Sequence, residues 1–207
     1  MSILFDHDIK WDPILQFGTR HFFKEKAIIY RQGTLEDGFY YLQKGLINVT
    51  TTTISGNDRL LNIAVPGQIL GLQGMDQKSH FTTATAIKDS ILYYFSFERF
   101  EKLMIHHPSL FNTFIRTVIH KMHILADKIY LDTLLPNQQL ARILLNICYD
   151  FKNKEVPLSQ QDLVKSTGLN RVTIYKLLKQ WKEENVIEYH EKNLIIKKPD
   201  VLKKLLD

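Results

Sequence analysis

Residues 158–181, LSQQDLVKSTGLNRVTIYKLLKQW, constrain the fold more than any other stretch of the chain. Ser159 is a strong N-cap, and Asp162 three residues on occupies the place of a capping-box acid. The spacing predicts a helix running to about Ser166, a sharp turn at Gly168, and a second helix capped by Asn170. Ile174, Leu177, Leu178 and Trp181 recur at helical spacing and form one apolar stripe. Val172, Lys176 and Lys179 then point the other way, with Tyr175 beside them and Arg171 at the N-terminal flank. A helix that shows polar and basic groups away from its own core, after a tight turn, has the geometry of one that enters a major groove. Pairs of amphipathic helices also occur in bundles that bind no DNA, so the rest of the chain has to decide.

Charge points the same way. Residues 136–207 carry 13 Lys/Arg against 9 Asp/Glu, whereas residues 1–135 carry 14 against 13. The surplus sits beside the helix–turn–helix, where it favours contact with phosphates. With 207 residues and 44% hydrophobic content the chain can build one large or two modest cores. No apolar run approaches the roughly 18 residues of a membrane span, and no secretory leader opens the sequence, which predicts a cytoplasmic protein without membrane contact. The single cysteine, Cys148, lies in an apolar helical run and reads as a buried small hydrophobe. One cysteine excludes an intramolecular disulfide and a four-cysteine iron–sulfur or zinc site.

Between Thr19 and Phe97 the texture is one of short strands: residues 27–30, 38–42, 47–50, 60–64 and 91–95. Gly33, Gly45, Pro66-Gly67 and a hairpin turn at Ser55-Gly56-Asn57-Asp58 punctuate them. From about Pro108 a long helix follows. Its Phe111, Ile115, Val118, Met122, Leu125 and Ile129 step by four and three, a seam that suits a paired helix and equally the core of a monomer. Phe114, Ile119 and Ile124 give a second apolar side, expected to pack on the strands. Residues 132–137 read as a hinge, with Pro136 stopping or redirecting the helix, and residues 140–151 as another helix. After the helix–turn–helix, residues 186–189 and 194–197 read as the two strands of a wing, and Asp200 as the cap of a last short helix.

Three stretches, KAIIYRQGTLEDGFYYLQKG (26–45), NIAVPGQILG (62–71) and the helix–turn–helix, resemble in order and spacing the Crp/Fnr family of bacterial transcription regulators. The resemblance covers nearly the whole chain from Phe22. It implies an α+β chain: an N-terminal cyclic-nucleotide-binding-type β-roll, jelly-roll-like, over residues 1–108, a dimerisation helix and hinge over 109–135, and a C-terminal winged helix–turn–helix over 136–207. It also implies a homodimer on a pseudo-palindromic double-stranded operator, a small-molecule effector that switches it, and contact with RNA polymerase. The seam residues Phe111, Ile115, Val118, Met122, Leu125 and Ile129 become the dimer interface.

The departures from the family pattern bear on the input. The cyclic-nucleotide members carry an acid after P-G-x-x-x-G and an Arg-Ser or Arg-Thr pair for the cyclic phosphate. Here those positions hold Leu72 and His80-Phe81, and neither Leu72 nor Phe81 can give a phosphate a charge-assisted donor. The expectation is an effector other than cyclic AMP. A further likeness, to the branch that senses halogenated aromatic acids, makes Tyr41, Gly71, Leu72, Tyr93, His120 and Lys121 the candidate effector residues. The eight histidines include no set of three or four with zinc spacing, so no metal is assigned and no cofactor is required. Haem held by a single histidine is left open.

For DNA, Ser159, Asn170, Arg171, Val172, Thr173, Tyr175, Lys176 and Lys192 are the candidate contacts. Arg171 matches the family's guanine-reading arginine. Val172 replaces its glutamate and suits a thymine methyl, and Lys176 replaces a second arginine, which together predict an AT-richer half-site. Ser159, Thr173 and Lys192 fit phosphate contacts, while Lys179 and Lys182 read as a solvated helix face. The rival reading is a small-molecule-binding module that acts through a protein partner rather than DNA. An enzyme is not expected: no nucleophile–base pair, P-loop or dinucleotide fingerprint is present.

Overall fold

The computed structural model describes residues 11–206 apart from 55, 57, 152–154, 157, 158, 191 and 192, and leaves the side chains of 149–151, 155, 156 and 193 undescribed. Lys192, Leu158, and Ser55 and Asn57 of the expected hairpin turn therefore lie outside the described residues. In chain order the elements are a 3-10 turn Asp12–Phe17, β1 (Thr19–Phe23), β2 (Ile28–Tyr30), β3 (Gly38–Lys44), β4 (Ile47–Thr52), β5 (Asp58–Ala64), β6 (Ile69–Leu70) and a 3-10 helix Leu72–Asp76. These are followed by β7 (Thr83–Ala86), β8 (Ser90–Ser96), α1 (Phe97–His106), α2 (Ser109–Leu131) and α3 (Pro136–Phe151). The chain closes with β9 (Glu155–Val156), α4 (Gln160–Thr167), α5 (Arg171–Glu183), β10 (Ile187–His190), β11 (Asn193–Ile196) and α6 (Pro199–Lys203). The chain divides into two compact units after Ile124, inside α2.

The first unit is a roll of two antiparallel four-stranded sheets, ordered β1-β8-β3-β6 and β2-β7-β4-β5. Successive side chains of a strand face opposite ways, and β3 is covered on both. Tyr40 and Leu42 join Ile29, Tyr30, Ile47, Ala84 and Leu92 between the sheets. Phe39 and Tyr41 face outward into a second cluster with Trp11, Ile14, Phe95, Phe100 and Leu110. Burial on both faces explains why 38–42 and 91–95 read as unbroken apolar runs. In the outer cluster the Trp11 indole lies 5.8 Å from both Phe39 and Phe100 and donates from Nε1 to Thr117 Oγ1 at 3.4 Å.

One stripe of α2 closes this cluster. Leu110, Thr117 and Ile124 are buried and Phe114 packs on the aromatic rings. Ile119, expected on this side, is 46% exposed, because it lies half a turn round from Leu110. The seam Phe111–Ile129 is a third strip, about 100° from the buried stripe.

In the second unit α3 packs on α4, α5 and α6, and β10-β11-β9 forms the wing sheet. Pro136 begins α3 rather than merely ending α2, as suits a residue whose missing N–H is harmless in a first turn. The last helix is corrected too: Pro199 takes its first position, so Lys198 is the cap and Asp200 sits inside the turn, 3.0 Å from Lys203. Cys148 is half-buried rather than enclosed.

Truncating Trp11 to alanine removes the ring on which Phe39, Tyr41, Phe100 and α2 converge. Trp11→Ala is expected to destabilise the first unit by about 3–5 kcal/mol. Thermal unfolding followed by near-ultraviolet circular dichroism tests this, and an unchanged melting temperature would contradict it.

Candidate nucleic-acid interface and effector region

The helix–turn–helix is built as its caps dictate. Ser159 Oγ accepts from the Asp162 amide at 3.2 Å, and Asp162 Oδ2 accepts from the Ser159 amide at 3.1 Å. Gly168 ends α4 in the left-handed region, at φ 75°, where a side chain would be strained. Asn170 Oδ1 then accepts from the Thr173 amide at 2.8 Å and from its hydroxyl at 3.0 Å. Ile174, Leu178 and Trp181 are buried, while Leu177 is only half-buried. With that stripe fixed, Arg171, Val172, Tyr175 and Lys176 stand exposed on α5.

The structure thus gathers four of the candidate DNA contacts on one exposed surface. Ser159, Asn170 and Thr173 hold the caps, so their side chains first serve to shape the motif. The last turn of α2 is fastened to this unit. Lys128 Nζ donates to the Ser166 carbonyl at the end of α4, and Asp127 lies 3.4 Å from Arg142 of α3. The Arg142 guanidinium also stands 5.1 Å from the centre of the Tyr130 ring.

In the first unit Tyr41 and Tyr93 are direct cross-strand partners on β3 and β8. Tyr41 belongs to the cluster around Trp11, and Tyr93 and Leu72 each pack against that cluster. Burial raises the Tyr41 phenol to about 12, so it stays neutral. Gly71, at φ +83°, turns the chain into the 3-10 helix that carries Leu72. Lys121 is half-buried on the same side of α2 as Thr117, one turn further on. Burial lowers its ammonium to about 8, and no ion pair involves it among the described residues. His120 lies on a different side of α2 and is half-buried.

Beneath that 3-10 helix lies a pairing of polar groups, His80 with Glu36, that no local pattern announces. His80 is 1% exposed, 4.3 Å from the Tyr30 ring and 3.7 Å from a Glu36 carboxyl oxygen. Neither imidazole nitrogen has a hydrogen-bond partner among the described residues, nor does that Glu36 oxygen. Burial pushes His80 below the usual histidine range and Glu36 above the usual carboxylate range; the nearby carboxyl does not offset the burial of the ring. Around them Tyr30 meets Thr82 Oγ1 at 3.3 Å, and Gln73 donates to the same oxygen at 2.6 Å. Phe81 is 59% exposed and points away from any such role. His80 stands where the family carries its phosphate-holding pair and Glu36 lies in the stretch 26–45, but nothing in their spacing ties one to the other. No three His, Cys, Asp or Glu side chains converge as metal ligands among the described residues.

Comparison with known proteins agrees with this architecture. Residues 20–107 match the model for a cyclic nucleotide-binding domain, and residues 138–205 that for a Crp-like helix-turn-helix domain. The transcriptional activator protein Anr of Pseudomonas protegens is 22% identical over 85% of this chain and 75% of its own length. The cAMP-activated global transcriptional regulator CRP of Salmonella typhimurium is 20% identical over 89% of this chain and 94% of its own. Among solved structures, OCPA-complexed CprK superposes with a TM-score of 0.71 at 19% identity, covering 94% of this chain and 95% of that one. With a nucleotide-binding-type roll, a long helix and a winged helix–turn–helix in this order, the chain belongs to the Crp/Fnr family of transcription regulators.

Proposed function

We propose that the chain is a homodimer whose α5 helices read a pseudo-palindromic operator in double-stranded DNA, under the control of a small acidic effector other than cyclic AMP. The observation that carries the DNA reading is the exposure of Arg171, Val172, Tyr175 and Lys176 on a helix whose opposite stripe is locked in the core. Arg171 offers guanine a paired donor, Lys176 a single charge, and Val172 a methyl-sized apolar contact for thymine. The relatives named as transcriptional regulators support an output in transcription, which in this reading runs through RNA polymerase.

Pairing is supported by the seam. Apart from Val118, which is half-buried, its exposure runs from 38% at Ile115 to 70% at Ile129, an apolar strip that favours burial against a copy of itself. The acidic effector is supported by Lys121. A carboxylate or phenolate would give its ammonium an ion partner that no described residue supplies, and Tyr41, Leu72 and Tyr93 offer apolar surface at the aromatic cluster that α2 covers. Cyclic AMP is disfavoured because the place for its phosphate holds Leu72, exposed Phe81 and a neutral, enclosed His80.

Arg171→Ala is expected to weaken binding to a selected genomic duplex by about 1–3 kcal/mol and to relax preference at one guanine position. Selection of genomic fragments followed by sequencing reads this. If the wild-type chain selects no fragment, action through a protein partner takes its place. Leu125→Glu puts a charge in the seam and is expected to give a monomer in sedimentation velocity; an unshifted dimer would remove the seam from the interface.

Lys121 sets a pH signature. Its ammonium holds its proton below about pH 8, so an anionic probe such as a chlorinated hydroxyphenylacetate should bind best there and progressively less at higher pH. An unfolded lysine keeps its proton to about 10.5, so between these values the folded chain holds fewer protons than the unfolded one. The ligand-free protein should therefore gain stability as pH rises through that window. Calorimetric titration and thermal melts from pH 7 to 10 check both trends. Lys121→Met should abolish each, and tight cyclic AMP binding would overturn the assignment of the effector.

A further inference from the structure

We propose that a groove beside α5 seats the sugar–phosphate backbone of the operator outside the bases that α5 reads, making Lys182, Lys179 and Tyr189 a backbone clamp. The inference rests on the DNA reading above and extends it to residues that look, in the sequence, like an ordinary solvated face.

The groove lies between the C-terminal half of α5, the first turn of α4 and strand β10, and encloses about 470 Å³. Leu178, buried in the core below, forms its floor. Tyr175 and Tyr189, 55% and 37% exposed, stand along it, and Gln160 places its amide nitrogen 3.5 Å from the Tyr189 hydroxyl. The Lys182 ammonium lies 6.0 Å from the centre of the Tyr189 ring, a position that holds the charge over an aromatic face. Residues 171, 175, 179 and 182 follow helical spacing, so the groove continues the strip that begins at the exposed Arg171.

Charge and chemistry choose the occupant. Two ammonium groups, two phenol hydroxyls and an amide offer a phosphodiester both charged and neutral donors, and the tyrosine faces offer the deoxyribose an apolar wall. A strand of phosphates lying along such a groove gains from the counterions it releases. Glu183 opposes it: its carboxylate shares the groove and stands 3.9 Å from Lys179. That opposition supplies a test no merely structural role would pass.

The experiment uses the full-length protein and two labelled duplexes, a selected genomic fragment and a random sequence of equal length, titrated by fluorescence anisotropy across a series of salt concentrations. Lys182→Gln should weaken both duplexes alike, by about threefold to tenfold, and lower the salt slope by about 0.9. Tyr189→Phe should weaken both without changing the slope. Glu183→Gln should tighten both. Thermal melts of the variants control for folding. Wild-type binding that none of the three variants alters would overturn the clamp while leaving the DNA reading intact; wild-type protein that binds neither duplex would overturn the DNA reading itself. A loss confined to the selected duplex would make these residues base readers and also reject the clamp.

Discussion

The molecule depends on a contact between the buried stripe of α2 and the aromatic cluster around Trp11. Leu110, Phe114, Thr117 and Ile124 bury one strip of the helix, and the Trp11 indole binds Thr117 across it. This fixes the rotation of α2 about its axis, and the rotation decides everything carried on its other sides. It turns most of the seam to solvent, puts Ile119 opposite the roll, and leaves half-buried Lys121 one turn beyond Thr117 on the same side. A single polar bond and a set of rings thus assign three different tasks to three strips of one helix. The tilt of the rings is no accident of packing, because edge and offset arrangements let several aromatic side chains share a small volume.

Beneath the 3-10 helix after Gly71 the roll has exchanged one kind of electrostatics for another. Where a phosphate-holding member of the family needs a cation, this chain encloses His80 with Glu36 and surrounds them with neutral hydroxyls. Burial raises Tyr30 and Tyr40 to about 12 and pushes Tyr94, which donates to Asp37, higher still. These phenols therefore stay uncharged across the physiological range. An enclosed imidazole whose two nitrogens lack hydrogen-bond partners among the described residues, facing a carboxyl oxygen in the same state, is a destabilising feature in itself, of the kind that persists where shape matters more than stability. The imidazole fills the space under the helix: a methyl group added at Gly71 or Gly74 would stand only 3.7 or 3.6 Å from its ring.

What was legible in the sequence was local. The caps of α4 and α5 are bonds between residues three apart, so Ser159, Asp162, Asn170 and Gly168 could be read directly, as could the strands whose apolar runs are bounded by glycine. Strand β1 escaped because it is an edge, largely exposed, with Phe22 facing solvent. Strand β7, Thr83–Ala86, escaped because its buried residues are alanines, too small to mark a hydrophobic period. Helix α1 escaped because Phe97 and Phe100 continue the aromatic run of β8; its start is set by Ser96, whose hydroxyl caps the Arg99 amide. The cap assigned to Asp200 failed because Pro199 had already claimed the first helical position. The pairing of His80 with Glu36 joins residues 44 positions apart and leaves no periodic trace.

The fastening of the last turn of α2 to the winged unit has a consequence for how this chain can be divided. Sequence punctuation places the natural cut in residues 132–135, between two helices. A fragment cut there would keep Arg142 but lose Asp127 and Tyr130, leaving a half-buried guanidinium without its carboxylate or its ring. It would also lose Lys128, exposing the Ser166 carbonyl at the end of α4. The transplantable module, whether for recombination in evolution or for grafting onto another sensor, therefore carries a piece of the preceding helix with it. The linker visible in the sequence is not the seam along which the protein comes apart.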